Sequence, residues 1–169
     1  IQNGRGYIVN SLSHNISLLD LETLTIERIL TLPDGCNPWA MQFVGLNKAY
    51  VTSLLHDKVY ILDVESGDVT GSIDVGTAPQ GIVRNNKTIY VANTGFNFTN
   101  LTFGEGTVSI IDTDTDEVTA TLNVPVNPQD LSVSGGGSVY IICTGDFSDI
   151  AGQMVLLSPF GGANFTPAI

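Results

Sequence analysis

The 169 residues carry 17 acidic and 6 basic side chains, a formal net charge of -11 that repels nucleic acid phosphates and anionic membrane surfaces. No stretch approaches the ~20 consecutive apolar residues of a membrane-spanning helix. With 43% hydrophobic residues, 14% charged and 18 glycines, the composition favours short strands and tight turns over helices.

In chain order, four tyrosine-led runs stand out: Tyr7-Ile8-Val9-Asn10, Tyr50-Val51-Thr52-Ser53, Tyr90-Val91-Ala92-Asn93 and Tyr140-Ile141-Ile142-Cys143, spaced by 43, 40 and 50 residues. A second apolar run follows each, at residues 16–20, 59–63, 108–112 and 154–158; the first three end on Asp20, Asp63 and Asp112. A third run comes at 25–32, 69–75 and 118–124, and then Pro38, Pro79 or Pro128 opens a fourth. Apolar and small polar residues alternate within the runs, as in Val108-Ser109-Ile110-Ile111-Asp112, which predicts strands. Four short strands recurring at this period predict a β-propeller blade. The blade strands are lettered from the channel outward: the Pro-led run is A, the Tyr-led run B, the Asp-terminated run C and the next run D.

The unit Tyr90-Val91-Ala92-Asn93, then Thr107-Val108-Ser109-Ile110-Ile111-Asp112-Thr113, then Glu117-Val118-Thr119-Ala120-Thr121-Leu122-Asn123-Val124 and Pro128, resembles the YVTN β-propeller repeat of surface-layer and periplasmic proteins. The resemblance covers nearly the whole chain. It implies an all-β fold of four-stranded antiparallel blades, in which the Asp after strand C caps the C-to-D turn and the Tyr packs between blades. Because its motif residues are strand and turn positions, it implies little about chemistry. The chain departs from the pattern at Ser158, which stands in place of the Asp, at Cys143, and in the length of the third unit.

The blade units run approximately over 1–35, 36–76, 77–125 and 126–169, within one partial propeller domain. The first unit lacks strand A. From Ser158 to Pro167 there are only 9 residues, against 18 from Asp20 to Pro38, so strand D of the last unit is expected to be missing or deformed. About three and a half blades result, a partial ring that reads as a fragment of a larger propeller, with ring closure by association of copies as the alternative.

Candidate binding residues gather where the B-to-C and D-to-A connections meet, on one face of a propeller. From the Tyr to the end of strand C takes 13 residues in the first two units but 22 and 18 in the others. The third unit's extra loop places Phe96, Phe98 and Phe103 among polar residues, to contact a ligand or to fold back onto the propeller. Trp39, Gln80 and Gln129 follow the strand-A prolines and point toward the channel mouth. His14 and His56, with Asp57, are of the residue types that hold zinc, copper or iron, although repetition of loop chemistry explains the two histidines as well. Residues 112–117 begin like a calcium loop but lack its Gly and its distal Glu, which leaves a solvated turn. Cys36 and Cys143, two blades apart, are not expected to pair.

Five glycosylation sequons start at Asn15, Asn86, Asn97, Asn100 and Asn164, all in or beside predicted turns. Together with the resemblance they suggest a secreted, cell-surface or periplasmic glycoprotein. No catalytic constellation and no cofactor are predicted, a metal ion being the one open candidate. The expected function is a non-enzymatic scaffold for a protein, a glycan or self-association through exposed blade edges. The alternative is a subunit of a periplasmic enzyme or redox complex, lactonase-like or resembling metal- or haem-associated dehydrogenases and reductases, for which His14, His56, Asp57, Asp130 and Asp146 are the available groups.

Overall fold

The computed structural model describes residues 1–158 and the backbone of residues 163–166. Its first sheet contains β1 (Arg5–Asn10), β2 (Asn15–Asp20) and β3 (Ile26–Thr31). The second contains β4 (Pro38–Phe43), β5 (Lys48–Ser53), β6 (Lys58–Asp63) and β7 (Val69–Asp74). In the third, β8 (Pro79–Asn85) and β9 (Thr88–Asn93) are followed by a separate hairpin, β10 (Phe96–Asn97) and β11 (Thr102–Phe103), before β12 (Gly106–Asp112) and β13 (Glu117–Val124) complete the sheet. The fourth holds β14 (Pro128–Val133), β15 (Val139–Cys143), β16 (Gln153–Leu157) and β17 (Ala163–Thr166). All neighbours pair antiparallel.

Strand alternation explains how the sheets stack. Period 2 sends neighbouring side chains to opposite faces, so Ala49 and Val51 enter the cluster shared with the first sheet, while Tyr50 between them enters the cluster shared with the third. A third cluster joins Ala92 and Val108 to Ile141 and Val155. Full burial of a side chain the size of Val or Ile contributes about 1.5–3 kcal/mol. The inner strands β4, β8 and β14 lie side by side with β1 against β4, the arrangement of propeller blades around a channel.

The repeat residues take the expected roles. Tyr7 packs edge-on against Phe43 at 5.0 Å, and Tyr50 and Tyr90 join the following interblade clusters. The Tyr50 phenol donates to Asp116, which also pairs with Lys48 at 2.5 Å, tying the second blade to a turn of the third. Asp20 accepts from the backbone N–H groups of Glu22 and Thr23, Asp63 from those of Glu65 and Ser66, and Asp112 from that of Asp114. Each closes a C-to-D turn.

The expectation for the last strand D needs correction. β17 pairs with β16 from Met154↔Thr166 to Leu157↔Ala163. Spacing to a proline was the wrong measure, because a four-residue strand can start soon after Ser158 without reaching Pro167. The first sheet has three strands, as expected. Ile8 and Ile29 on its outer face, and Ile142 and Met154 on that of the fourth sheet, are exposed.

Candidate functional site

Backbone hydrogen bonds bring the B-to-C and D-to-A connections onto one rim. Leu54 N–H donates to Asn37 O at 3.1 Å, Thr94 N–H to Ala78 O at 3.2 Å and Thr144 N–H to Asn127 O at 2.9 Å. The accepting residues precede the strand-A prolines and share a left-handed backbone, φ 48°, 53° and 60°. His14 and Asp57, also left-handed at φ 50° and 55°, secure the next turn. His14 Nδ1 accepts from Asn37 N–H at 3.1 Å, and Asp57 Oδ1 accepts from Ala78 N–H at 2.8 Å. Asp57, rather than His56, is therefore the structural counterpart of His14. Residue type suggested the wrong pairing, whereas distance to the start of strand C indicates the right one.

His56 instead contacts Tyr60 through Nδ1, 2.7 Å from the phenol oxygen. The residues singled out for metal binding thus serve three separate local contacts. Among the described residues, no group of three or more His, Cys, Asp or Glu is placed to hold a metal ion. Asp146 accepts from the N–H groups of Ser148 and Ile150, which hold its carboxyl below the usual range. Asp130 accepts from Leu131 N–H. Cys36 and Cys143 are buried free thiols, pushed up by burial to about 11 and about 12.

The two long B-to-C insertions define the most developed part of the rim. Both open with a Thr-Gly pair, at 94–95 and 144–145. Thr94 Oγ1 donates to Ala78 O; Gly95 has φ 70° and Gly145 φ 73°. A Cβ on Gly95 would lie 2.5 Å from Glu105 O, and one on Gly145 would collide with Ile150 O. Only glycine closes these two loops at their necks.

Above Gly95, β10 and β11 set Phe96 opposite Phe103. The Phe96 ring lies 4.8 Å from Phe98 and 4.9 Å from Phe103, and Phe103 lies 5.9 Å from Phe147 in the fourth blade's insertion. These spacings suit tilted and edge-to-face aromatic pairs. The expected three phenylalanines therefore fold onto one another, with Phe98 47% exposed, and the added Phe147 is 72% exposed. Phe147 was missed because its partner lies one blade away in sequence. A groove of about 720 Å³ runs beside the cluster, lined by Leu55, Asp57, Thr77, Phe96, Phe98 and Glu105 among others.

Trp39 is 48% exposed and Gln80 and Gln129 are half-buried at the starts of β4, β8 and β14; none of them lines this groove. Of the sequon asparagines, Asn86, Asn97 and Asn100 are exposed. Asn15 is half-buried and bonded to Asn10, and the Asn164 side chain lies outside the described residues.

No family model matches the chain, and no curated protein matches it in sequence. Solved structures do. Hydrazine synthase from Kuenenia stuttgartiensis aligns over 98% of this chain and 47% of its own, with TM-score 0.81 and 19% identity. Virginiamycin B lyase from Staphylococcus aureus aligns over 98% and 53%, with TM-score 0.76 and 18% identity. The WD40 β-propeller domain of Doa1 aligns over 82% and 43%, with TM-score 0.66 and 11% identity. This chain spans about half the length of those chains, and what it shares with them is the fold: blades of a β-propeller.

Proposed function

We propose that the chain is a non-enzymatic binding module of the YVTN β-propeller type, displayed outside the cytoplasm, whose rim of B-to-C insertions engages a protein partner. The observation that carries this reading is the cluster of Phe96, Phe98, Phe103 and Phe147, which joins two insertions and leaves two rings open to water. Large exposed apolar side chains grouped beside a groove mark contact surfaces more often than isolated ones do. Their edge-to-face packing, with Leu55, Leu101 and Ile150 exposed on the same connections, suits apolar side chains of a protein better than the flat face of a sugar.

The enzyme-subunit reading draws support from structural neighbours named as a lyase and a synthase. For that reading the described residues supply dispersed acids and histidines.

Selection of binders from a displayed peptide library, followed by binding to a Phe98→Ser/Phe147→Ser variant, tests the proposal. Selected binders should lose most of their affinity while the variant keeps its melting temperature. Binders indifferent to both substitutions would overturn it.

A further inference from the structure

The six cations are unevenly placed on the two faces of the blades, and on the face opposite the insertions Arg5, Lys48 and Lys87 pair with Glu27, Asp116 and Asp114. Arg5, Lys48, Arg84 and Lys87 lie at strand ends or turns on the face opposite the insertions. Arg28 reaches the same side, donating to the Glu65 and Ser66 carbonyl oxygens in a C-to-D turn. Lys58 alone among the six cations stands at the rim, where Asp74 pairs with it. The rim connections carry Asp34, Asp57, Glu105, Asp146 and Asp149 besides.

Several of these acids adjoin the aromatic cluster. Asp57 and Glu105 line the groove with Phe96 and Phe98, and Asp146 and Asp149 flank Phe147 in sequence. All of Asp57, Glu105 and Asp149 are exposed. Exposed charges act over about 10 Å at 0.1 M salt, so cations arriving at the phenylalanines experience attraction from several carboxylates together. The open ring of Phe98 also offers a cation–π face. The hairpin is held in shape by Asn97, which accepts from Thr99 and Asn100 N–H, and by Asn100, which accepts from Thr102. A preformed surface keeps the ordering cost of binding low.

Resting on the platform reading above, we infer that the rim takes a basic amphipathic segment of a partner protein. Bulky apolar residues of that segment occupy the groove against Phe96, Phe98 and Leu55, and flanking Lys or Arg side chains face Asp57, Glu105 and Asp149. Charge complementarity selects this occupant over an acidic or neutral one of equal hydrophobicity.

Three synthetic peptides test it with the intact chain: a Lys/Leu/Phe peptide, its Glu/Leu/Phe twin, and a Lys/Ser peptide without apolar residues. Fluorescence anisotropy at about 50 mM and about 500 mM salt reads the charge contribution. The Lys/Leu/Phe peptide should bind roughly tenfold or more tighter than its Glu twin. That preference should shrink at high salt and in a Glu105→Gln/Asp149→Asn variant, while Phe98→Ser/Phe147→Ser weakens both apolar peptides. Equal binding of the twins, with loss in the phenylalanine variant, would overturn the charge inference and leave the platform reading standing. Lys/Ser binding as tight as Lys/Leu/Phe, or no binding by any peptide, would overturn the inference. Apolar-peptide binding unmoved by the phenylalanine substitutions would count against the platform reading as well.

Discussion

Leu24 sits at φ 56° with 72% of its surface exposed, whereas Gly67 takes the corresponding place in the next blade's C-to-D turn. A left-handed backbone costs a residue with a Cβ about 1–2 kcal/mol. With little packing to lose, Leu24→Gly should raise stability by about 1 kcal/mol, seen as a thermal midpoint about 2–4 °C higher; an unchanged or lower midpoint would contradict the strain. Asp57→Ala should do the opposite, by about 1–3 kcal/mol, because Ala78 N–H loses its acceptor; denaturant titration checks this. These two sites differ in how legible they are. The Asp20, Asp63 and Asp112 caps can be read from sequence because each side chain bonds its own turn. Asp57 and His14 act across 21 and 23 residues with different side chains, so only folded geometry identifies their shared role.

At the level of elements, the strands were legible because alternation and proline spacing are local properties of the chain. The insertions were legible only as lengths. Their necks depend on Gly95 and Gly145 avoiding backbone oxygens, and their cluster depends on Phe103 meeting Phe147 across a blade boundary. Thr-Gly at both necks was the available sequence signal. Gly145→Ala should cost about 2–3 kcal/mol through backbone strain and collision with the Ile150 carbonyl. Gly135→Ala, where a Cβ meets nothing within 4 Å, should change stability by less than about 0.5 kcal/mol. Equal melting curves for the two variants would remove the steric account of the neck. β17 shows the limit of counting: a strand defined by pairing with β16 carries no proline or aspartate to announce it.

Across the whole molecule, stability should fall at both extremes of pH. Backbone N–H groups lower the folded-state values of Asp20 and Asp146 from 3.8, so their contribution is present above that value and lost as pH falls through the lower folded values. Burial raises Cys36 and Cys143 from 9.0 to about 11 and about 12. Stability from keeping these thiols protonated is present below pH 9.0 and lost as pH rises toward those folded values. A Cys36→Ala/Cys143→Ala variant should therefore lose less stability than wild type between neutral and alkaline pH, and parallel denaturation profiles would refute this. The propeller was legible as a whole because each blade repeats the same local pattern; that all cations but Lys58 lie away from the insertions became legible only once the turns had sides. Hydrogen exchange of the chain with and without a selected peptide tests the central claim most directly. Protection concentrated at residues 54–57, 95–105 and 145–150 is the expected result, and protection confined to the opposite turns or to the outer faces of β1–β3 and β14–β17 would contradict it.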